Sequence, residues 1–195
     1  MRHLGIYSIS IVLLAAIGCG ASPSARFYTL SPTAKADEGS TASYTVGVGP
    51  VSIPSAVDRP QFVVQVAANR VEIDEFSQWV GPLDEIIAHA VAANLAVLLG
   101  TSDIAVTPLA SLTPDYRVTI DVQRFESVRG EAVTIDAVWA VRGSTAKQVR
   151  SGHTLARESV SDGSVDALAA AHSSALAVVS ADIAAALREI AAHKR

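Results

Sequence analysis

Cys19 stands at the end of the most apolar run of this 195-residue chain, in the segment LLAAIGCG at positions 13–20. A thiol at this place could be a buried structural side chain, a catalytic thiolate, half of a disulfide or an attachment point for lipid. The chain has no second cysteine, which excludes an intramolecular disulfide and a metal site built from several cysteines. The residues around Cys19 decide among the other roles.

The residues before Cys19 are arranged like a secretory signal peptide. Arg2 and His3 give a short positive start, and an apolar stretch of about 14 residues follows from Leu4 to Ile17. Such a stretch is too short to cross a hydrocarbon core about 30 Å thick as a helix, which takes about 20 residues. This pattern indicates export and cleavage, not a membrane-spanning helix.

Positions 16–19, AIGC, are similar to a bacterial lipobox, with alanine where leucine is commoner. In such lipoproteins the cysteine thiol is diacylated, the chain is cut just before it, and the new amine is acylated. The alternatives are an ordinary signal peptide with a chance cysteine, or a buried N-terminal helix. We predict a signal peptide over residues 1–18, lipidation at Cys19, and a tether of small residues over 19–25.

Lipidation would place the protein at a membrane. Two or three acyl chains anchor a protein durably, whereas one chain binds only marginally. The tether from Cys19 to Arg26 reaches at most about 25 Å at ~3.5 Å per residue, so the folded body must stay near the membrane. Gly20 follows the cysteine, and by similarity to lipoprotein sorting rules the absence of aspartate there favours the outer membrane, with the domain facing the periplasm.

The composition gives little support for other function classes. The formal net charge is −4 and no cluster of Lys and Arg appears, so we expect no nucleic-acid partner. None of the common nucleophile, zinc, phosphate-loop or dinucleotide motifs occurs. We therefore expect no enzyme activity, catalytic residue, cofactor or metal, although the plentiful serines leave a Ser/His/Asp triad open.

Three other side chains could carry a role. His172 lies on an apolar helical stripe, which favours a hydrogen-bonded core histidine over a catalytic one. Phe76 and Trp79 fall where a strand gives way to a helix, in a chain that is only 5% aromatic. They either cover the core above the helix or form a contact surface for a partner protein, since buried aromatics dominate interface energetics.

The apolar spacing predicts a single α/β domain of the α+β kind over residues 26–195. Two helices are predicted, one between Pro82 and Gly100 and one beginning after Ser164. Alternation predicts eight strands in the order four strands, helix, four strands, helix, the last three forming an antiparallel meander with its edge at 147–159. We expect two helices packed on a mostly antiparallel sheet.

Three stretches together resemble a known family: RFYTLSP soon after the lipobox, VGVGPVSIPSAVDRPQFVVQ, and WVGPLDEIIAHAVAANLAVLLG. They are similar to the ABC-type transport auxiliary lipoproteins, the PqiC-like subunits of transporters associated with membrane integrity. Val80-Gly81 departs from the Ala-Glu commoner in that family, so no role is assigned to a glutamate there.

The resemblance implies an accessory subunit of an MCE-type lipid transport system. Its partners would be an MCE-domain protein and inner-membrane permease and ATPase components, in a system that moves lipids, and phospholipid is a further candidate partner. The lipoprotein would dock the periplasmic assembly to the outer membrane. Two alternatives stay open, namely an envelope lipoprotein hydrolase and a regulatory lipoprotein of cell-wall synthesis.

Overall fold

The computed structural model describes residues 24–36, 41–107, 113–144 and 149–192. The predicted signal peptide, Cys19 and most of the tether lie outside these ranges. The described elements follow the predicted order of four strands, a helix, four strands and a helix. They are β1 (Arg26–Tyr28), β2 (Val46–Ser52), β3 (Gln61–Ala67), β4 (Arg70–Trp79), α1 (Leu83–Leu99), β5 (Ile104–Val106), β6 (Tyr116–Val128), β7 (Ala132–Gly143), β8 (Val149–Ser159) and α2 (Val165–Ala192).

The strands form one curled mixed sheet, in the order β1-β4-β3-β6-β2-β5, with β7 on the other edge of β6 and β8 outside β7. The long ladders, β3–β4, β6–β7 and β7–β8, are antiparallel, which confirms the predicted meander and its edge strand β8. The pairings of β1 with β4, and of β2 with β5 and β6, are parallel. A single register pair, Gln65 with Val128, joins β3 to β6.

Alternation along the central strands sets which face is buried. Tyr116, Val118, Ile120 and Val122 of β6 are at most 3% exposed, and the odd-numbered positions 133–141 of β7 are buried beside them. The helices cover this face: α2 packs on β6, β7 and β8, α1 packs on β2 and β5, and the two helices pack on each other. We call the opposite side of the sheet the outer face.

Both helices begin where the sequence predicts, and α1 also ends there. Pro82 precedes α1, and Gly100 closes it in the left-handed conformation at φ 61°, donating its N–H to the carbonyl of Ala96. Ser164 caps α2, because its Oγ accepts a 3.1 Å hydrogen bond from the N–H of Ala167. The predicted apolar stripe of α2, including His172, is buried throughout.

Strand β2 contains Gly47, Gly49 and Pro50, residues that occur at bulges or at sheet edges. It lies inside the sheet between β6 and β5, and its register on β6 shifts between Val48 and Val51. The shift spans Gly49, at φ 117°, and the cis Gly49–Pro50 bond. The glycine-proline segment therefore marks a bulge in an interior strand, not a sheet edge.

Candidate interaction surface

The β3–β4 hairpin displays apolar side chains on the outer face. Val63 lies opposite Ile73 in the ladder, and Gln65 lies opposite Val71, so these four side chains share one side of the hairpin. Val71 is 58% exposed and Ile73 41% exposed, whereas Val63 is half-buried. The alternate position Phe62 points inward and is buried.

The apolar surface continues onto β1. Phe27 pairs with Gln78, and Gln78 pairs with Gln61, which lies on the same side of β3 as Val63. Phe27 is 64% exposed. We call the side chains Phe27, Val63, Val71 and Ile73 the hairpin face. Exposed apolar groups clustered in this way are typical of a contact surface for a protein or a membrane.

Phe76 and Trp79, the predicted contact residues, are placed in different environments. Trp79 is 4% exposed and stacks on Phe62 with ring centroids 4.5 Å apart, while Phe125 meets it edge-on at 6.1 Å. Phe76 is 45% exposed. Phe76 is one of the three residues 75–77 of β4 that have no partner on β3, because the neighbours Gln61 and Phe62 pair with Gln78 and Asp74.

Trp79 therefore covers the core, which is the first of the two roles considered for these aromatics. Of the two side chains, only Phe76 has the exposure that a partner contact needs. The structure does not bring the two side chains together on one surface.

An ion pair ties the hairpin to the rest of the domain. Arg129, in the turn between β6 and β7, bonds Asp74 Oδ2 at 3.0 Å and the carbonyl oxygen of Gly163 at 2.9 Å. These contacts join the hairpin to the β6–β7 turn and to the segment that leads into α2. The Asp74 side chain keeps 20% of its accessible surface, so the pair is better shielded than a fully exposed surface pair.

The described surface offers shallow grooves. Four of them have volumes of about 190–290 Å³, below the roughly 300–1,000 Å³ of small-molecule sites. One groove is lined by Val63 and Val71 of the hairpin face together with Pro54, Val57 and Arg124. These shapes suit contact with a surface better than enclosure of a small ligand.

A buried serine–histidine pair was not predicted. Ser127 Oγ and His172 Nε2 are 2.7 Å apart, a spacing that also occurs between a nucleophile and its base. Ser127 is 2% exposed and His172 is 0% exposed, and burial lowers the pKa of His172 to about 3. Within the described ranges, His172 Nδ1 has no hydrogen-bond partner that could orient it. The pair is packed in the core, out of reach of a substrate, which confirms the hydrogen-bonded core histidine.

The described residues contain neither a cluster of metal ligands nor a bilayer-spanning helix. In the part of the chain that the structure describes, no three His, Cys, Asp or Glu side chains converge as metal ligands. His153 instead bonds Asp136 Oδ1 at 2.5 Å on the outer face. Neither described helix combines the length and the hydropathy that a bilayer-spanning segment requires.

Comparison with known families decides the relationship. Residues 28–184 match the family described as the ABC-type transport auxiliary lipoprotein component. The chain belongs to this family. The match covers well over half of the sequence and includes both helices down to residue 184. It confirms the resemblance, and it makes the protein a transport-associated lipoprotein of the envelope, in a family not known for enzymes.

Solved structures support the fold of this auxiliary lipoprotein. A crystal structure of a Xanthomonas campestris protein of the DUF330 family is similar with a TM-score of 0.73 at 20% identity, covering 87% of this chain and 98% of that one. A second crystal structure, of an uncharacterized protein, is similar with a TM-score of 0.68 at 22% identity and covers 85% of this chain and 99% of that one. No curated protein matches the sequence.

Proposed function

We propose that this auxiliary lipoprotein is the outer-membrane subunit of an MCE-type lipid transport system. It docks the periplasmic assembly, an MCE-domain protein with inner-membrane permease and ATPase components, to the outer membrane. The observation that carries the proposal is the family match over residues 28–184. The role is one of anchoring and contact, and no chemical step is assigned to the chain.

The lipid anchor is the first part of the proposal. Cys19 follows an apolar stretch too short to span a bilayer, and small residues surround the cleavage position. Cleavage before Cys19 and acylation of its thiol and amine leave a chain that is held at the membrane by acyl groups. Because Arg26 lies within about 25 Å of Cys19, partner contacts form close to the membrane.

Fractionation of cells tests the anchor. We expect Cys19→Ala to leave the membrane fraction for the periplasm, whereas the matched tether variant Ser22→Ala stays with the membrane. Gly20→Asp, by the sorting rule, is expected to move the lipoprotein from the outer to the inner membrane. Recovery of Cys19→Ala in the membrane at the wild-type level would contradict the anchor.

Affinity purification from membranes in mild detergent tests the partnership. We expect an MCE-domain protein, with permease or ATPase components, to be recovered with the wild-type lipoprotein. If cells carrying Cys19→Ala also become more sensitive to envelope-damaging compounds, the anchor is required for the proposed transport role. Repeated recovery of wild-type protein without any MCE-domain partner would overturn the transport assignment.

A further inference from the structure

We propose that the hairpin face lies on the membrane to which Cys19 is attached, so that an apolar contact beside the anchor holds the domain in one orientation. This inference rests on the proposed lipidation of Cys19 and deepens that role. Acyl chains alone would fix the distance of the domain from the bilayer but leave it free to rotate. A second contact point removes that freedom.

The first support is the exposure of the hairpin face. Phe27, Val71 and Ile73 are 64%, 58% and 41% exposed. The opposite side of the hairpin is covered, since Phe62 lies 6.3 Å from the ring of His172 on α2. Each of these three side chains keeps more than 40% of its accessible surface and would lose apolar surface to water in the boundary region of a bilayer.

The second support is the direction and length of the chain before β1. Strand β1 is parallel to β4, with Arg26 beside Ser77, so the first residue of β1 faces the end of the hairpin that carries the turn before Arg70. Measured along β3, where the ladder is regular, the six residue steps from Gln61, opposite Gln78, to Ala67, opposite Arg70, span about 20 Å at ~3.3 Å per residue. The seven-residue step from Cys19 to Arg26 reaches at most about 25 Å. The anchor can therefore lie level with the hairpin turn, close to these apolar groups.

The third support is charge. The hairpin carries Arg70 against Glu72, Asp74 and Glu75. Attraction to anionic headgroups is therefore not the source of the contact. Glu72 and Asp74 lie opposite Val64 and Phe62, on the side away from the hairpin face, and Asp74 is paired with Arg129. The contact is apolar, and its occupant is the bilayer surface.

Site-specific labelling tests this arrangement in the lipidated, full-length mature protein. Once Cys19 is acylated, a new cysteine is the only free thiol. Ile73→Cys on the hairpin face and Val178→Cys on α2 form a matched pair, because the native side chains are 41% and 40% exposed. Val71→Cys is a second hairpin variant. Each receives a polarity-sensitive fluorophore and is reconstituted in phosphatidylethanolamine–phosphatidylglycerol vesicles.

We expect the labels at positions 73 and 71 to be at least ~3-fold less accessible to aqueous iodide than the label at 178, because the headgroup boundary excludes water. They should also be quenched by lipids that carry a bromine or nitroxide on the acyl chain. Equal iodide accessibility at 73, 71 and 178 in vesicle-bound protein would overturn the contact while leaving the anchor intact. Failure of the protein to float with vesicles would instead refute the anchor, and this inference with it.

The soluble Cys19→Ala form separates a membrane from a second copy of the chain. We expect its label at position 73 to be accessible at every protein concentration. Protection that grows with concentration in the absence of vesicles would assign the hairpin face to contact between copies and would overturn the proposal.

Discussion

His172 of α2 stacks on Phe125 of β6 with ring centroids 3.9 Å apart and ring planes 3° from parallel. Phe62 and Trp79 extend the same aromatic cluster toward the hairpin. The imidazole is fully buried, and its Nε2 contacts Ser127 Oγ. The tautomer protonated at Nε2 donates to Ser127 and leaves only a bare lone pair on Nδ1, which costs less than a buried N–H without an acceptor. The α2–β6 contact thus depends on a neutral histidine.

The first prediction is an acid-sensitive stability that comes from His172. Its pKa is about 3 in the folded state and about 6.5 in the unfolded chain. Between these values the unfolded state binds the proton, so stability is fully present above pH 6.5 and is lost as the pH falls toward 3. The loss from this site is about 2–3 kcal/mol between pH 7 and pH 4.5. Urea unfolding at the two pH values measures it.

The control for this prediction is a pair of variants. His172→Asn should be less stable at pH 7 but should show a smaller difference between pH 7 and pH 4.5 than the wild type. Ser127→Ala removes the hydrogen-bond partner but keeps the buried imidazole, so it should retain the full difference. The same pH dependence in His172→Asn as in the wild type would show that another group is responsible.

The second prediction concerns Gly152, which lies opposite Trp139 in the β7–β8 ladder. A Cβ at position 152 would lie 2.2 Å from Cζ2 of Trp139. The indole cannot swing away freely, because its Nε1–H donates a 3.0 Å hydrogen bond to Thr154 Oγ1. Overpacking of this kind typically costs about 1–3 kcal/mol, so Gly152→Ala should lower the free energy of unfolding by about this amount.

The matched control is Gly81→Ala, where nothing lies within 4 Å of the added Cβ. It should leave stability within about 0.5 kcal/mol of the wild type or raise it slightly, because alanine restricts the unfolded chain more than glycine does. Thermal unfolding of both variants makes the comparison. Equal melting temperatures of the two variants would show that the Trp139 indole moves aside for the added methyl group at little cost.

The local features of the fold were predictable from the sequence, because they depend on neighbours along the chain. Pro82, Gly100 and Ser164 act within a turn or two of their own helices. The parallel pairing of β2 with β6 was not predictable, because its register joins Val46 to Tyr116, and strand patterns carry no record of distant partners. The alternation of apolar and polar residues within β6 is the same whether the neighbouring strands run parallel or antiparallel to it.

The exposure and the contacts of the candidate site residues could be predicted only in part from their spacing in the sequence. The scarcity of aromatics singles out Phe76 and Trp79, but the three additional residues of β4 decide which of them is exposed. Ser127 and His172 are brought together by packing of α2 on β6 across 45 positions of sequence, without a motif. Lipidation of Cys19 stays a prediction from a local sequence pattern, because Cys19 lies outside the described residues.

The last prediction concerns Asn94, a buried amide on the apolar stripe of α1. Its Oδ1 accepts 3.0 Å hydrogen bonds from the N–H groups of both Thr33 and Ala34, which follow β1. The side chain therefore holds the segment that fixes β1, where the tether enters the domain. Asn94→Ala leaves both N–H groups without this acceptor, and we expect a loss of about 1–3 kcal/mol in the free energy of unfolding.

Amide hydrogen exchange separates this role of Asn94 from simple loss of volume. Exchange at Thr33 and Ala34 should become at least ~10-fold faster in Asn94→Ala than in the wild type, because the local segment opens without global unfolding. Asn69→Ala, the same substitution at an exposed position in the β3–β4 turn, should change neither exchange nor stability by a comparable amount. A less stable Asn94→Ala with wild-type exchange at both amides would show that Asn94 stabilises α1 by packing, and that other contacts hold the segment after β1.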